Sequence, residues 1–101
     1  MKNLVQGYEL LDGGLKNYTI PKMFMTYRHL EITAKSEDGT KMVKLQFEGI
    51  EDITLGRYEV DGAISKLELE KTDDDMLLAK IEDLEDVEMK IIAEKLVVTK
   101  I

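Results

Sequence analysis

The chain has no cysteine in its 101 residues, which excludes disulfide frameworks, thiol nucleophiles and thiolate metal sites together. Long apolar runs are absent too. No stretch reaches the roughly 18 apolar residues of a membrane-spanning helix, and the opening Met1-Lys2-Asn3-Leu4-Val5-Gln6-Gly7 lacks the apolar core of a signal peptide. These absences lead us to expect a soluble cytoplasmic protein of bacterial or phage type. Arginine occurs only at Arg28 and Arg57, and the lysines are scattered. A phosphate-binding surface needs such cations clustered, so neither nucleic acid nor membrane is an expected partner. No serine or threonine sits in a nucleophile-elbow sequence, and no glycine-rich phosphate loop is present.

The composition, 44% hydrophobic and 35% charged, belongs to a globular chain of one domain. Its net charge of −7 is unevenly spread. Residues 68–88 hold Glu68, Glu70, Asp73, Asp74, Asp75, Glu82, Asp83, Glu85, Asp86 and Glu88 against Lys71 and Lys80, a balance of −8. A basic protein partner suits that balance.

Clusters of turn-forming residues recur near Asp38, Gly49, Gly62, Asp74, Asp83 and Glu94. Short strands separated by turn signals at roughly 8–12-residue intervals indicate an all-β domain. The expected fold is mainly β: an antiparallel meander sheet, curved half-barrel or small sandwich, with at most one or two short helices. It becomes α+β if the N-terminal segment is helical.

Alternation places Leu30, Ile32 and Ala34 on one face and His29, Glu31, Thr33 and Lys35 on the other, before the Ser36-Glu37-Asp38-Gly39 turn. Val43, Leu45 and Phe47 continue the apolar face. Ile53 and Leu55 follow, and the pattern slips by one to Tyr58 and Val60, with Gly56 positioned for a bulge. After Asp61-Gly62, Leu67 and Leu69 point inward. Val87, Met89 and Ile91 form another strand, expected to pair with Leu96-Val97-Val98-Thr99 through a reversal at Glu94-Lys95.

Residues 72–85 carry two signals. Thr72-Asp73-Asp74-Asp75 fits a helix capping box, with Leu77, Ile81 and Leu84 at helical spacing. A strand from Met76 to Ile81 instead keeps the even turn spacing, with Leu77, Ala79 and Ile81 inward and Lys80 outward. The regular repeat favours the strand. Residues 27–101 then form the sheet, and residues 1–26 its lid. The lid would hold one short helix or hairpin around Leu4, Val5, Tyr8 and Leu11, ended by Asp12-Gly13-Gly14. Tyr18, Ile20, Met23, Phe24 and Met25 form a second apolar run around Pro21. Incomplete sealing of the sheet predicts a homodimer.

The candidate partner-binding residues are Asp73, Asp74 and Asp75 in one cluster and Glu82, Asp83, Glu85 and Asp86 in another. In a meander, successive turns lie at opposite ends of the sheet, so the clusters would form two poles. Glu37, Asp38 and Asp61 would share one pole, and Glu51 and Asp52 the other. Charged turns also discourage edge-to-edge strand pairing. A calcium loop counted from Asp73 would need glycine where Leu78 stands and glutamate where Leu84 stands. No metal, cofactor or catalytic residue is therefore assigned. His29, beside Glu31 on the outer face, lacks the pocket a general base needs.

The run Met42-Val43-Lys44-Leu45-Gln46-Phe47-Glu48-Gly49-Ile50, a strand closing on Phe-x-Gly and an aliphatic residue, resembles small bacterial β-rich proteins such as the immunity protein 50 family. The likeness extends in rhythm over residues 28–101. It implies a compact cytoplasmic protein that binds and silences a toxin, and acidity suits a basic toxin domain. The alternative is a small ligand-binding or enzymatic β domain whose apolar pocket is lined by Tyr27, Tyr58, Phe24 and Met25.

Overall fold

The structure, a computed structural model, describes residues 3–55, 63–84 and 87–101. The chain begins with a short strand β1 (Val5–Gln6) and a 3-10 turn (Tyr8–Leu11). Strands β2 (Thr19–Thr26), β3 (His29–Lys35), β4 (Met42–Glu48) and β5 (Asp52–Leu55) follow. The second half comprises β6 (Ile64–Lys71), β7 (Leu77–Asp83), β8 (Glu88–Ala93) and β9 (Lys95–Lys100).

These strands build two sheets and not one curved layer. Sheet A has the order β1-β9-β4-β3-β2, and sheet B the order β5-β8-β7-β6. All neighbours are antiparallel except β1 and β9, which run parallel. Each sheet turns one apolar face to a shared core. Leu30, Ile32, Leu45, Phe47 and Leu96 come from sheet A; Ile64, Leu77, Ala79, Ile91 and Ala93 come from sheet B. Alternation in β3, β4, β7 and β8 supplies those side chains as expected, because period-2 polarity is a strand buried on one side.

The hairpins β3–β4, β6–β7 and β7–β8 reverse the chain where turn signals predict; the β2–β3 hairpin turns at Tyr27-Arg28, where the sequence offers no such signal, and makes residues 19–26 a strand of sheet A instead of part of the expected lid. Two other signals act differently. At Glu48-Gly49 and at Glu94-Lys95 the chain crosses from one sheet to the other, so β8 and β9 do not pair. Instead β4–β5 and β8–β9 form one bent ribbon. Glu48 pairs with Lys95 before the corner and Asp52 with Ile92 after it, leaving one extra residue on the β4–β5 side. An extra residue on one strand bends a ladder. Gly49 takes up the left-handed φ of 66° there, and a Cβ on it would lie 2.5 Å from the Glu94 carboxylate. The Glu94 amide donates to the carbonyls of Glu48 and Gly49 across the corner. The Phe47-x-Gly49 motif thus has a local cause: Phe47 is a fully buried anchor and Gly49 the bend.

The contested segment is strand β7. Leu77, Ala79 and Ile81 are buried between the sheets, whereas Leu84, which a helix would place on the same apolar stripe, is 65% exposed in the following turn. The N-terminal lid is the 3-10 turn with its flanks, which bring Val5, Leu11, Leu15 and Tyr18 into the core. Pro21 sits at a register irregularity of edge strand β2, between Thr19 and Lys22, a position where a missing N–H is tolerated. The expected slip at Gly56, with Tyr58 and Val60, and the Asp61-Gly62 turn lie outside the described residues. Among the described residues no helix is long and apolar enough to cross a membrane.

Candidate interaction surface

The outward-facing residues of sheet B follow from its register. Leu77, Ala79 and Ile81 are inward, so Leu78, Lys80 and Glu82 point out. Beside them lie Lys66, Glu68 and Glu70 of β6 and Glu88, Lys90 and Ile92 of β8. Two like-charged pairs stand directly opposite across β7 and β8, Lys80 with Lys90 and Glu82 with Glu88. Such pairs are unfavourable alone, and neighbours on the same face offset them. Lys80 faces Glu68 and lies 3.8 Å from Glu70; Lys90 lies 3.5 Å from Glu88; Lys66 faces Glu82 and contacts Glu68. The Lys66–Glu68 contact raises the lysine pKa and lowers that of the carboxylate, the hydrogen bond being the larger cause. Lys66 is exposed and Glu68 half-buried at the surface, so solvent screens most of its effect.

Asp73, Asp74 and Asp75 lie in the β6–β7 turn. The turn is closed by the Thr72 amide donating to Met76 O (2.8 Å) and by the Met76 amide donating to Thr72 Oγ1 (3.0 Å). Asp75 takes a left-handed φ of 63° and pairs with Lys71 at 2.9 Å. Asp73 and Asp74 are exposed.

Glu82 and Asp83 sit at the far end of β7, where Asp83 Oδ1 accepts the Val87 amide at 2.9 Å and closes the β7–β8 turn. The Ser65 hydroxyl contacts the carbonyl oxygens of both Glu82 and Asp83. Glu85 and Asp86 lie outside the described residues. β7 has 7 residues, about 20 Å at the usual strand rise, so the two clusters are separate. A shallow cleft joins the β7–β8 end, through Leu84, to Glu37 and Asp38 of the β3–β4 turn. Asp61, the third acid expected there, is outside the described residues.

Sheet A differs in charge. Its strands carry Lys22, Lys35, Lys44, Lys95 and Lys100 against Glu31 and Glu48, a balance of +3. The strands of sheet B carry Asp52, Glu68, Glu70, Glu82, Asp83 and Glu88 against Lys66, Lys71, Lys80 and Lys90, a balance of −2, with the aspartate turn adding three more acids. Charge is therefore segregated by layer, a polarity that the totals along the chain only hint at.

On the outer face of sheet A, His29 Nε2 lies 3.3 Å from Glu31 Oε1 and its Nδ1 3.9 Å from Glu48 Oε1. Gln46 Nε2 donates to Glu31 at 3.0 Å. The Gln46 bond, then that from His29, hold the Glu31 carboxyl below its ordinary pKa. This is a cross-strand polar cluster. Among the described residues no three His, Asp or Glu side chains converge as metal ligands would.

Three of the four residues expected to line a pocket are described. Phe24 and Met25 are 51% and 53% exposed on edge strand β2, and Tyr27 in the β2–β3 turn is 92% exposed; Tyr58 is outside the described residues. A groove of about 460 Å³ opens elsewhere, between the 3-10 turn and β6, with Leu11, Leu67 and Leu69 as its apolar floor and Tyr8, Glu9 and Asp12 at its rim. Its cause is the edge position of β6, which leaves Leu67 and Leu69 only partly covered. No sequence signal pointed to it, because the lid residues and β6 lie some fifty positions apart.

Compared with known proteins, the chain matches no family model and no curated relative.

Proposed function

We propose that the chain is a non-enzymatic protein-interaction module of the bacterial or phage cytoplasm, whose acid-rich layer docks a cationic protein. An immunity or inhibitor protein that neutralises a basic toxin domain is the form this takes. The observation that supports it is the layer-wise separation of charge, which leaves the strands of sheet B and the Asp73–Asp75 turn with a combined excess of five negative charges, −2 and −3, against +3 on the strands of sheet A. Such complementarity steers encounter and selects partners more than it deepens affinity.

The test is capture from native cell extract on immobilised protein, wild type beside a variant carrying Glu68→Gln, Glu70→Gln, Asp73→Asn and Asp74→Asn. A specific cationic protein should be retained by the wild type, released by moderate salt, and lost from the variant while its circular dichroism is unchanged. Equal retention by both removes this reading. A second reading, a small-ligand domain, draws on the apolar-floored groove beside Tyr8. A metabolite that raises the melting temperature of the wild type but not of Leu69→Lys would favour it.

A further inference from the structure

We propose that the groove between the 3-10 turn and β6 is an anchor site for an arginine side chain of the cationic partner; this deepens, and rests on, the assignment of the acid-rich layer as a docking surface. The groove has a local cause. Residues 14–18 run alongside the first half of β6: the Asn17 amide donates to Ile64 O at 2.8 Å, the Ile64 amide donates to Tyr18 O at 2.7 Å, and a Cβ on Gly14 would lie 3.5 Å from Leu67 O. Consecutive left-handed residues from Asp12 to Leu15, with φ values from 42° to 86°, bend the backbone between this stretch and the 3-10 turn. Leu67 and Leu69 are only partly covered there, and about 460 Å³ opens over them.

The lining specifies the occupant. The floor of Leu11, Leu67 and Leu69 is aliphatic, and the two charged side chains at the rim, Glu9 and Asp12, are both acids. Asp12 Oδ2 accepts the Tyr18 hydroxyl at 3.1 Å and pairs with Lys41 Nζ at 3.4 Å. Those contacts fix the carboxylate in place, and Oδ1 takes part in neither. Tyr8, 60% exposed, adds an aromatic face to the same rim. An apolar floor under an acidic, aromatic rim matches a side chain with an apolar stem and a cationic head. Arginine fits better than lysine, because its planar guanidinium both stacks on an aromatic ring and forks onto a carboxylate. The volume falls within the roughly 300–1,000 Å³ of ligand sites, room for such a side chain with its flanking backbone.

The position of the groove ties it to the docking layer. Side chains along β6 alternate between faces, so Leu67 and Leu69 line the groove while Glu68 and Glu70, one residue away, lie on the outer face of sheet B. A partner that lies on sheet B across β6 therefore meets acids on both sides of that strand. The groove adds the concave apolar contact that a flat charged face lacks. Interfaces draw most of their affinity from a few well-packed anchors, arginine prominent among them, whereas exposed charges mainly steer.

The probe is Nα-acetyl-arginine amide, titrated into the whole isotope-labelled chain and followed by amide chemical shifts. Saturable shifts should map to Tyr8, Glu9, Gly13, Gly14, Leu67 and Leu69. The citrulline analogue, of the same shape without the charge, should bind roughly 5–30-fold more weakly, because the carboxylate and ring contacts are both partly solvated. Glu9→Gln should weaken binding of the arginine probe and not of the citrulline one, and Leu69→Lys should abolish both with an unchanged far-UV spectrum. Equal binding of the two analogues, or shifts confined to other residues, overturns the proposal. Free arginine tests for a metabolite site: tighter binding than that of the blocked amide overturns the assignment to a partner's side chain. The variant carrying Glu68→Gln, Glu70→Gln, Asp73→Asn and Asp74→Asn should titrate as the wild type does. Loss of cationic-protein capture by that variant, with no shift in the groove, removes the anchor alone. Equal capture with groove shifts removes the docking layer, and with it the partner named here, but not the arginine site.

Discussion

Replacing Gly7 by alanine should cost the fold far more than its surface location suggests. Gly7 follows β1 at a φ of 80°, and a Cβ built on it would lie 2.1 Å from the carbonyl oxygen of Val98 and 3.0 Å from its carbon. That oxygen cannot yield cheaply, because β9 is held on its other side by β4 through the Leu45–Val98 pair. The chain around residue 7 must lift instead, taking β1 and the 3-10 turn with it and uncovering Val5 and Leu11, which are 6% and 5% exposed. Left-handed backbone strain contributes about 1–2 kcal/mol, and uncovering one such side chain about 1.5–3 kcal/mol more. The expected loss is therefore about 2.5–5 kcal/mol, a large part of the 5–15 kcal/mol typical of a domain. Gly13→Ala isolates the strain: its φ is 71° and nothing lies within 4 Å of the added carbon, so only about 1–2 kcal/mol should be lost. Urea unfolding followed by circular dichroism compares the two variants. Gly7→Ala should have the lower midpoint, and a smaller m-value if part of β1 is already released in its native state. Equal midpoints would refute the close approach of Gly7 to β9.

Two further outcomes are expected. Asp38 accepts hydrogen bonds from the Thr40 amide, the Thr40 hydroxyl and the Ser36 hydroxyl, which hold its carboxyl at about 2, down from 3.8. A depressed folded pKa stabilises above the unfolded value and is lost as pH falls through the folded one. The urea-midpoint gap between wild type and Asp38→Asn should thus be full above about pH 4 and close toward pH 2; a gap independent of pH would contradict the ionised acceptor. Phe47, fully buried beside the corner at Gly49, should lose about 3–5 kcal/mol on Phe47→Ala and clearly less on Phe47→Leu, which leaves a smaller cavity, measured by the same unfolding assay.

What the sequence discloses here is what neighbours along the chain decide. Alternation assigns the faces of β3, β4, β7 and β8 because each residue's side is set by the pleat. It even resolves residues 72–85 against a local helix signal, since burial between β6 and β8 outweighs propensity. Which of the expected forms applies, one curved layer or a two-layer sandwich, was not legible. Glu48-Gly49 and Glu94-Lys95 have the composition of ordinary turns, and a corner differs from a hairpin only by which strands pair. That difference rests on one extra residue in a ribbon whose two sides lie more than forty positions apart. The candidate site was legible to the same degree. The acids were countable, but Asp83 and Asp75 prove to be committed to their turns, by a bond to the Val87 amide and an ion pair with Lys71.

The two corners also explain why a charge bias along the chain becomes a bias in space. The chain enters sheet B after Gly49 and leaves it at Glu94, so the acid-rich stretch from Glu68 to Glu88 is confined to three adjacent strands and their turns. Without the crossings, β4 and β9 would not close sheet A around their own lysines, and the same acids would lie beside Lys44, Lys95 and Lys100 in a single layer. Their fields would largely cancel within a screening length of about 8 Å. The crossing therefore has an electrostatic consequence as well as a packing one. It keeps the acid-rich stretch in a different sheet from the lysines of β3, β4 and β9, so the negative sign is concentrated on one layer of the molecule.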